Sequence, residues 1–125
     1  MKIGKTYSFE AAHHLPNHQG KCQNWHGHSY KVEVEVEGEP GPYSDRPDYG
    51  MVLDFDVLDA AMQPILITLD HRDLNTIPEI TYPTAENIAD YIAGWLVRNL
   101  GNVVQPEVTR VRLWETAKAY AEWTA

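Results

Sequence analysis

Two histidines at positions i and i+2, His26-Gly27-His28, are the first sign of chemistry in this sequence. In extended backbone, alternate side chains share a face. Counting on at even numbers gives Tyr30, Val32, Val34 and Val36, with Lys31, Glu33, Glu35 and Glu37 between them. If the strand starts early enough, both imidazoles lie at the end of its core-facing row. His13 ends a second alternating run, Tyr7, Phe9, Ala11, His13. Two neighbouring antiparallel strands would bring the three rings together. Three neutral nitrogen ligands with an open fourth position are the donor set of catalytic zinc, Zn2+. Gly27 leaves room between the two ligands. A His-x-His alone is a weak signal, met equally in polar residues near a turn. His14 competes with His13 but points the other way, and His18 in the polar Pro16–Gly20 stretch belongs to solvent.

Three other features carry titratable groups. Cys22 lies four residues before His26, flanked by Lys21, Gln23 and Asn24, which is not a core setting. Near a metal ion and a cation its thiolate would be favoured, making it a base or nucleophile. A small buried hydrophobe and a fourth, site-closing metal ligand are the alternatives. In Asp70-His71 the carboxylate can orient the imidazole and favour its protonated form. Taken alone, the pair reads more simply as a solvated helix end with a cation near the dipole. Glu115 continues an apolar strand face after Val111 and Leu113. A buried carboxylate needs a partner, and a planar ligand with adjacent N–H donors would supply a bidentate one. Fraying of the strand there, with Glu115 wet, is the alternative.

These residues need elements to hold them. Period-two alternation predicts strands over Tyr7–His13 and Tyr30–Gly38, the second with one wet face. Glu39 to Gly50 reads as a loop, and Met51-Val52-Leu53 as a brief strand. Asp54 is a candidate N-cap for a helix with Leu58, Met62, Ile65 and Leu69 inward, which Pro64 should kink or interrupt. Asp70 to Pro83 reads as a loop. Thr84 caps a second helix with Glu86 in its first turn, Ile88, Ile92 and Trp95 inward, and Gly101 as its stop. Val108–Glu115 is a strand with Thr109, Val111, Leu113 and Glu115 on one face, and Ala119–Trp123 a last short one. The order is strand, strand, helix, helix, strand, strand. It predicts an α+β fold: a four-stranded antiparallel sheet with two helices on one face. The outer sheet edges stay open, which invites pairing with other subunits.

Bulk composition narrows the classes. The formal net charge is −8, with 10 Lys and Arg against 18 Asp and Glu. That disfavours nucleic acid as a partner, since phosphate contacts need clustered Lys and Arg. It also leaves any polyanionic substrate short of obvious contacts, with Lys5, Lys21, Lys31, Arg72 and Lys118 as candidates. No apolar run approaches the roughly 20 residues that span a bilayer, so no membrane role is expected. The first six residues lack the apolar core of a secretory signal. The single cysteine cannot form an intrachain disulfide and suits a reducing, cytoplasmic compartment. Length fits a single domain over residues 1–125.

Together these residues resemble the 6-pyruvoyltetrahydropterin synthase family, most closely its bacterial 6-carboxy-5,6,7,8-tetrahydropterin synthase branch of the queuosine pathway. The matching pieces, in family order, are Phe9 to Pro16, Cys22-x-x-x-His26-Gly27-His28, Leu69 to Asn75, Pro83 to Asn87 and Trp114-Glu115-Thr116. The resemblance implies zinc held by His13, His26 and His28. It implies Cys22 as the catalytic thiol, with Asp70 and His71 as the proton-transfer pair. Glu115 would anchor the pterin ring, and Thr84 with Glu86 would line its pocket. The implied fold is the T-fold, whose sheets join between subunits into a barrel with active sites at the joins. A homohexamer, a dimer of trimers, is the family's usual assembly. The implied reaction is a lyase step converting 7,8-dihydroneopterin triphosphate to 6-carboxytetrahydropterin, acetaldehyde and triphosphate. A 6-pyruvoyl product, or a non-catalytic zinc- or pterin-binding module, are the alternatives. The sequence departs from the family pattern at Trp25, where an aliphatic residue is common, and at Ala85, where Ser or Thr is frequent. The three residues between Cys22 and His26 favour the bacterial branch over the animal enzymes, whose spacing is longer. A further branch, linked to folate synthesis, carries Glu near the Cys22 position.

Overall fold

Two long strands carry the histidines, and their pairing sets the site. In the computed structural model, which describes residues 1–100 and 106–125, β1 (Lys2–His13) and β2 (His26–Glu37) pair antiparallel along their whole length. The register runs from Lys2 opposite Glu37 to His13 opposite His26. On β2 the inner row Tyr30, Val32, Val34 and Val36 is buried, while Lys31 and Glu37 are exposed. On β1 the inner row ends in Phe9, Ala11 and His13.

Helix α1 (Phe55–Leu69) packs on this face through Leu58, Met62, Ile65 and Leu69. Asp54 caps it, its carboxylate accepting from the Asp56 amide at 2.9 Å. Pro64 does not interrupt it. The proline sits on the exposed side, and burial of the four inner residues outweighs its missing N–H. The helix also explains why β1 begins five residues before the apolar alternation. Lys5 places a charge on the inner row, and Asp59 of α1 binds its ammonium at 2.7 and 2.8 Å. Tyr7 donates to the same carboxylate at 2.8 Å.

Helix α2 (Ala85–Leu100) buries Ile88, Ala89, Ile92, Ala93, Leu96 and Leu100. Trp95 is only half-buried, since its indole N–H donates to the Ala61 carbonyl of α1 at 2.8 Å. Gly101, expected to stop this helix, lies outside the described residues.

Among the described residues the sheet has five strands, in the order β3 (Arg72–Asp73), β1, β2, β4 (Glu107–Thr116), β5 (Ala119–Thr124), where four were expected. The extra strand, β3 (Arg72–Asp73), pairs parallel with Ala11 and Ala12 of β1 and makes the sheet mixed. It arises within the segment read as a loop, together with a 3-10 turn at Leu74–Thr76. Two residues give no periodic signal, so the alternation could not show it. Met51-Val52-Leu53 is not a strand, although Val52 is buried.

Strands β4 (Glu107–Thr116) and β5 (Ala119–Thr124) complete the sheet. The inner face of β4 is Val108, Val111 and Leu113, not the unbroken odd-numbered row. Val36 pairs with Val108 but Glu35 with Arg110, so Thr109 is an extra, bulged residue. Its hydroxyl turns to the polar side and donates to a Glu35 carboxylate oxygen at 3.0 Å. A second irregularity follows Trp114, where Glu115 is the residue left out of the β4–β5 pairing. Among the described residues, the outer edge of β1 before Ala11 and the outer edge of β5 have no partner strand. No helix among them is long and apolar enough to cross a membrane.

Candidate functional site

The His13–His26 register pair ends the β1–β2 ladder, and His28 stands two residues on along the same face. One ligand atom from each of the three rings lies within 4.8 Å of the others. His13 is buried and the other two are partly so. Nδ1 of His13 lies 2.7 Å from the Pro83 carbonyl oxygen. A carbonyl only accepts, so Nδ1 carries the proton and Nε2 is left with a lone pair. Nδ1 of His26 lies 2.7 Å from the Asn24 carbonyl, which fixes the same tautomer. The two Nε2 atoms then face each other at 3.0 Å, lone pair towards lone pair. Nε2 of His28 is buried without any hydrogen-bond partner.

This arrangement needs a positive centre between the rings. A shared proton is disfavoured, because burial first, and the neighbouring imidazoles after it, hold His13 and His28 below the ordinary histidine pKa. The three rings could hold a metal ion there. Each carbonyl behind an imidazole is the outer partner that ligating histidines require to fix their orientation. Tyr30 backs the same ring, its hydroxyl 3.5 Å from Nδ1 of His13 and its ring stacked 4.8 Å from that of Phe9.

Glu115 reaches the triad from β4, with one carboxylate oxygen 3.8 Å from Nε2 of His28. Its negative charge raises the pKa of His13 and His28, against burial, and adds to burial in raising that of Tyr30. The competing ligand His14 is turned away. Its ring lies 4.1 Å from that of Trp25, and its backbone N–H and C=O are both bonded to the Asn75 side chain at 3.0 Å.

The family model described as 6-pyruvoyl tetrahydropterin synthase matches residues 2–125. The chain belongs to the 6-pyruvoyl tetrahydropterin synthase family. It is 39% identical to the 6-carboxy-5,6,7,8-tetrahydropterin synthase of Synechocystis sp., over 97% of this chain and 91% of that one. It is 38% identical to a dihydroneopterin monophosphate aldolase of Pyrococcus furiosus, over 86% of this chain and 83% of that one. The solved 6-pyruvoyl tetrahydropterin synthase of Caenorhabditis elegans superposes with a TM-score of 0.86 at 31% identity, covering 100% of this chain and 95% of that one. The fold of this pterin synthase family member is therefore the T-fold, here with the added edge strand β3.

The remaining predicted residues of this family member lie outside the triad. Cys22 sits half-buried in a 3-10 turn, Lys21–Gln23, and its carbonyl accepts from the Leu15 amide at 2.8 Å. It is not part of the ligand cluster, so the triad is not closed by sulfur. Asp70 and His71 are tied to β1: the Glu10 amide donates to Asp70 at 2.9 Å, and the His71 amide donates to the Glu10 carbonyl. These anchors hold His71 at φ +56°, in the left-handed region that non-glycine residues seldom adopt. Its Nδ1 lies 3.0 Å from an Asp70 oxygen. The bond from Glu10, and after it the bond from His71, hold the Asp70 pKa below the usual carboxylate value. The His71 ring is 79% exposed, and it lines a cavity with Glu10, Gly27, His28 and Ser29. Thr84 accepts from the Asn87 amide at 3.3 Å at the start of α2. Glu86 instead faces a cleft against β5 with Asp90, Glu122 and Trp123. The Pro83 and Asn24 carbonyls were invisible to sequence reasoning, because a backbone acceptor leaves no residue-type signature.

Proposed function

We propose that this chain is a zinc-dependent 6-carboxy-5,6,7,8-tetrahydropterin synthase, converting 7,8-dihydroneopterin triphosphate and water to 6-carboxytetrahydropterin, acetaldehyde and triphosphate. The observation that carries the reading is the convergence of three imidazole nitrogens, two in carbonyl-fixed tautomers, beside the Glu115 carboxylate. Three histidines with a free position suit zinc. When bound, the ion would polarise and acidify oxygen groups of the substrate side chain.

The chain's own residues supply the rest. Glu115 accepts the N–H edge of the pterin ring and so directs the side chain towards the triad. Cys22, half-buried in its turn, is the base that takes a side-chain proton. Asp70 orients the His71 imidazole, which exchanges the complementary proton. Thr84 flanks the ring pocket at the start of α2, while Glu86 faces the cleft against β5. The exposed ring of His71 and the unpaired edges of β1 and β5 support an assembly in which sheets join and sites lie between subunits. A homohexamer, working in the cytoplasm on queuosine or a related 7-deazapurine pathway, is the context proposed.

Relatives of nearly equal identity carry the names of two different reactions, so product analysis is the deciding test. Zinc-loaded protein is incubated with 7,8-dihydroneopterin triphosphate, the pterins are identified by mass spectrometry, and acetaldehyde is trapped. The expected products are 6-carboxytetrahydropterin and acetaldehyde. A 6-pyruvoyl product, an aldolase product from a dihydroneopterin phosphate, or no turnover at all would each overturn the assignment.

A further inference from the structure

The start of α2 is bonded into the metal centre through a single backbone carbonyl. Pro83, buried, presents its oxygen 2.7 Å from Nδ1 of His13. The direction of that carbonyl is set by the residues on either side. Tyr82 carries two donors on its own carbonyl: the Thr84 amide at 2.8 Å and the side-chain amide of Asn87 at 2.8 Å. Its hydroxyl accepts from the Asn17 amide at 3.0 Å. Asn87 grips the turn twice, since its own amide also donates to the Thr84 hydroxyl at 3.3 Å. Asn87 is solvent-exposed and is not one of the clustered ligand residues. Yet its side chain donates to the Tyr82 carbonyl of the turn that aims the Pro83 carbonyl at His13.

The geometry points to Asn87 as a positioning residue for the metal centre, acting through the Tyr82–Thr84 turn on the tautomer and orientation of His13. The inference rests on the reading of the triad as a metal site. A carbonyl held in place behind Nδ1 keeps the proton there and Nε2 free to ligate. Loosening the turn lets the ring rotate or adopt the other tautomer, and the free lone pair is lost. Linkage makes the effect reciprocal: an ion on Nε2 strengthens the Nδ1–H donor, which tightens the turn and the Thr84 segment beyond it.

Asn87→Asp separates this role from a purely helical one. The substitution keeps size and shape but removes the N–H donor and sets a carboxylate against the Tyr82 carbonyl. For the helix alone it is favourable, because a negative charge in the first turn complements the dipole. A merely structural Asn87 therefore predicts unchanged or better behaviour. The positioning role predicts weaker metal binding without loss of fold. Zinc affinity is measured by competition with a chromophoric chelator on the full chain, for wild type, Asn87→Asp and Asn87→Ala. Melting of the zinc-free proteins is recorded alongside. Outer partners of ligating histidines are worth about 10- to 100-fold in affinity, and about 10-fold is expected one bond further out. Long-range 1H–15N spectra of the zinc-free proteins should show His13 protonated on Nδ1 in wild type and mixed in both variants.

Weaker zinc binding in both variants, with melting within a few degrees of wild type, supports the inference. Zinc affinity within twofold of wild type in Asn87→Asp, with the His13 tautomer unchanged, overturns it while leaving the metal site standing. Failure of the wild type to bind zinc overturns both.

Discussion

Removing His26 tests the opposed lone pairs directly. In the zinc-free protein, His26→Ala deletes one hydrogen bond, Nδ1–H to the Asn24 carbonyl, at a partly exposed position. Such a bond contributes about 0.5–1.5 kcal/mol net. The same change relieves the 3.0 Å contact between the two Nε2 atoms, which offsets part of that loss. Zinc-free His26→Ala should therefore melt within a few degrees of zinc-free wild type. The loaded proteins should differ widely. Zinc at 100 times its dissociation constant stabilises a site by about 2.7 kcal/mol. For a chain of this length that corresponds to a rise in Tm of about 10 °C. The assay is calorimetric melting of both proteins, with chelator and with zinc. Wild type should gain about 10 °C, and the variant little, since two ligands remain. An equal zinc-induced shift in the variant, or a large loss of stability in its zinc-free form, would refute the reasoning.

Three further outcomes are expected. Cys22→Ala should abolish turnover while zinc content by elemental analysis stays at the wild-type level, because the thiol lies outside the ligand cluster; full activity would remove it from the mechanism. Glu115→Gln should raise KM for the pterin about tenfold or more, the size of one lost charge-assisted hydrogen bond, with metal content unchanged. An unaltered KM and kcat would end its role as the anchor. In the zinc-free protein, burial lowers the pKa of His13 and His28 below the ordinary value of 6.5, to which unfolding returns them. Below about pH 6.5 the unfolded chain then binds more protons than the folded one, so stability falls as pH falls. The lowered carboxylates, Asp59 and Asp70 among them, lose their contribution only further down, below their ordinary value of 3.8. Replacing both histidines with Gln should flatten the melting profile between pH 5 and 6.5, and a profile that stays equally steep would count against the assignment.

The sequence showed those parts of the fold where one residue type repeats at a fixed period. The valine row of β2 announced its strand, and the four inner residues of α1 announced that helix. The convergence of the three histidines followed from parity once the two strands were taken as neighbours, as did the preference for His13 over His14. What escaped was set by partners distant in sequence. Lys5 broke the apolar alternation because its counter-charge is Asp59, on a different element. Pro64 suggested a break that tertiary burial overrides. Strand β3 forms because β1 offers an edge, not because Arg72 and Asp73 favour extension. The tautomers of His13 and His26 depend on carbonyls whose direction only the folded backbone fixes.

The bulge at Thr109 works as a phase correction in β4. Side chains on a strand obey odd and even, and an unbroken odd frame that points Leu113 and Glu115 inward would also place Thr109 and Glu107 in the core. One extra residue resets the count, so Val108 fills the core at one end while Glu115 stays beside His28 at the other. The two ends of the strand are thus written in different frames, one for packing and one for the carboxylate. A single-residue deletion here would be a frame error in space: either Val108 turns to solvent or Glu115 leaves the histidines. Parity, and not reach, fixes the number of residues between the core and the site.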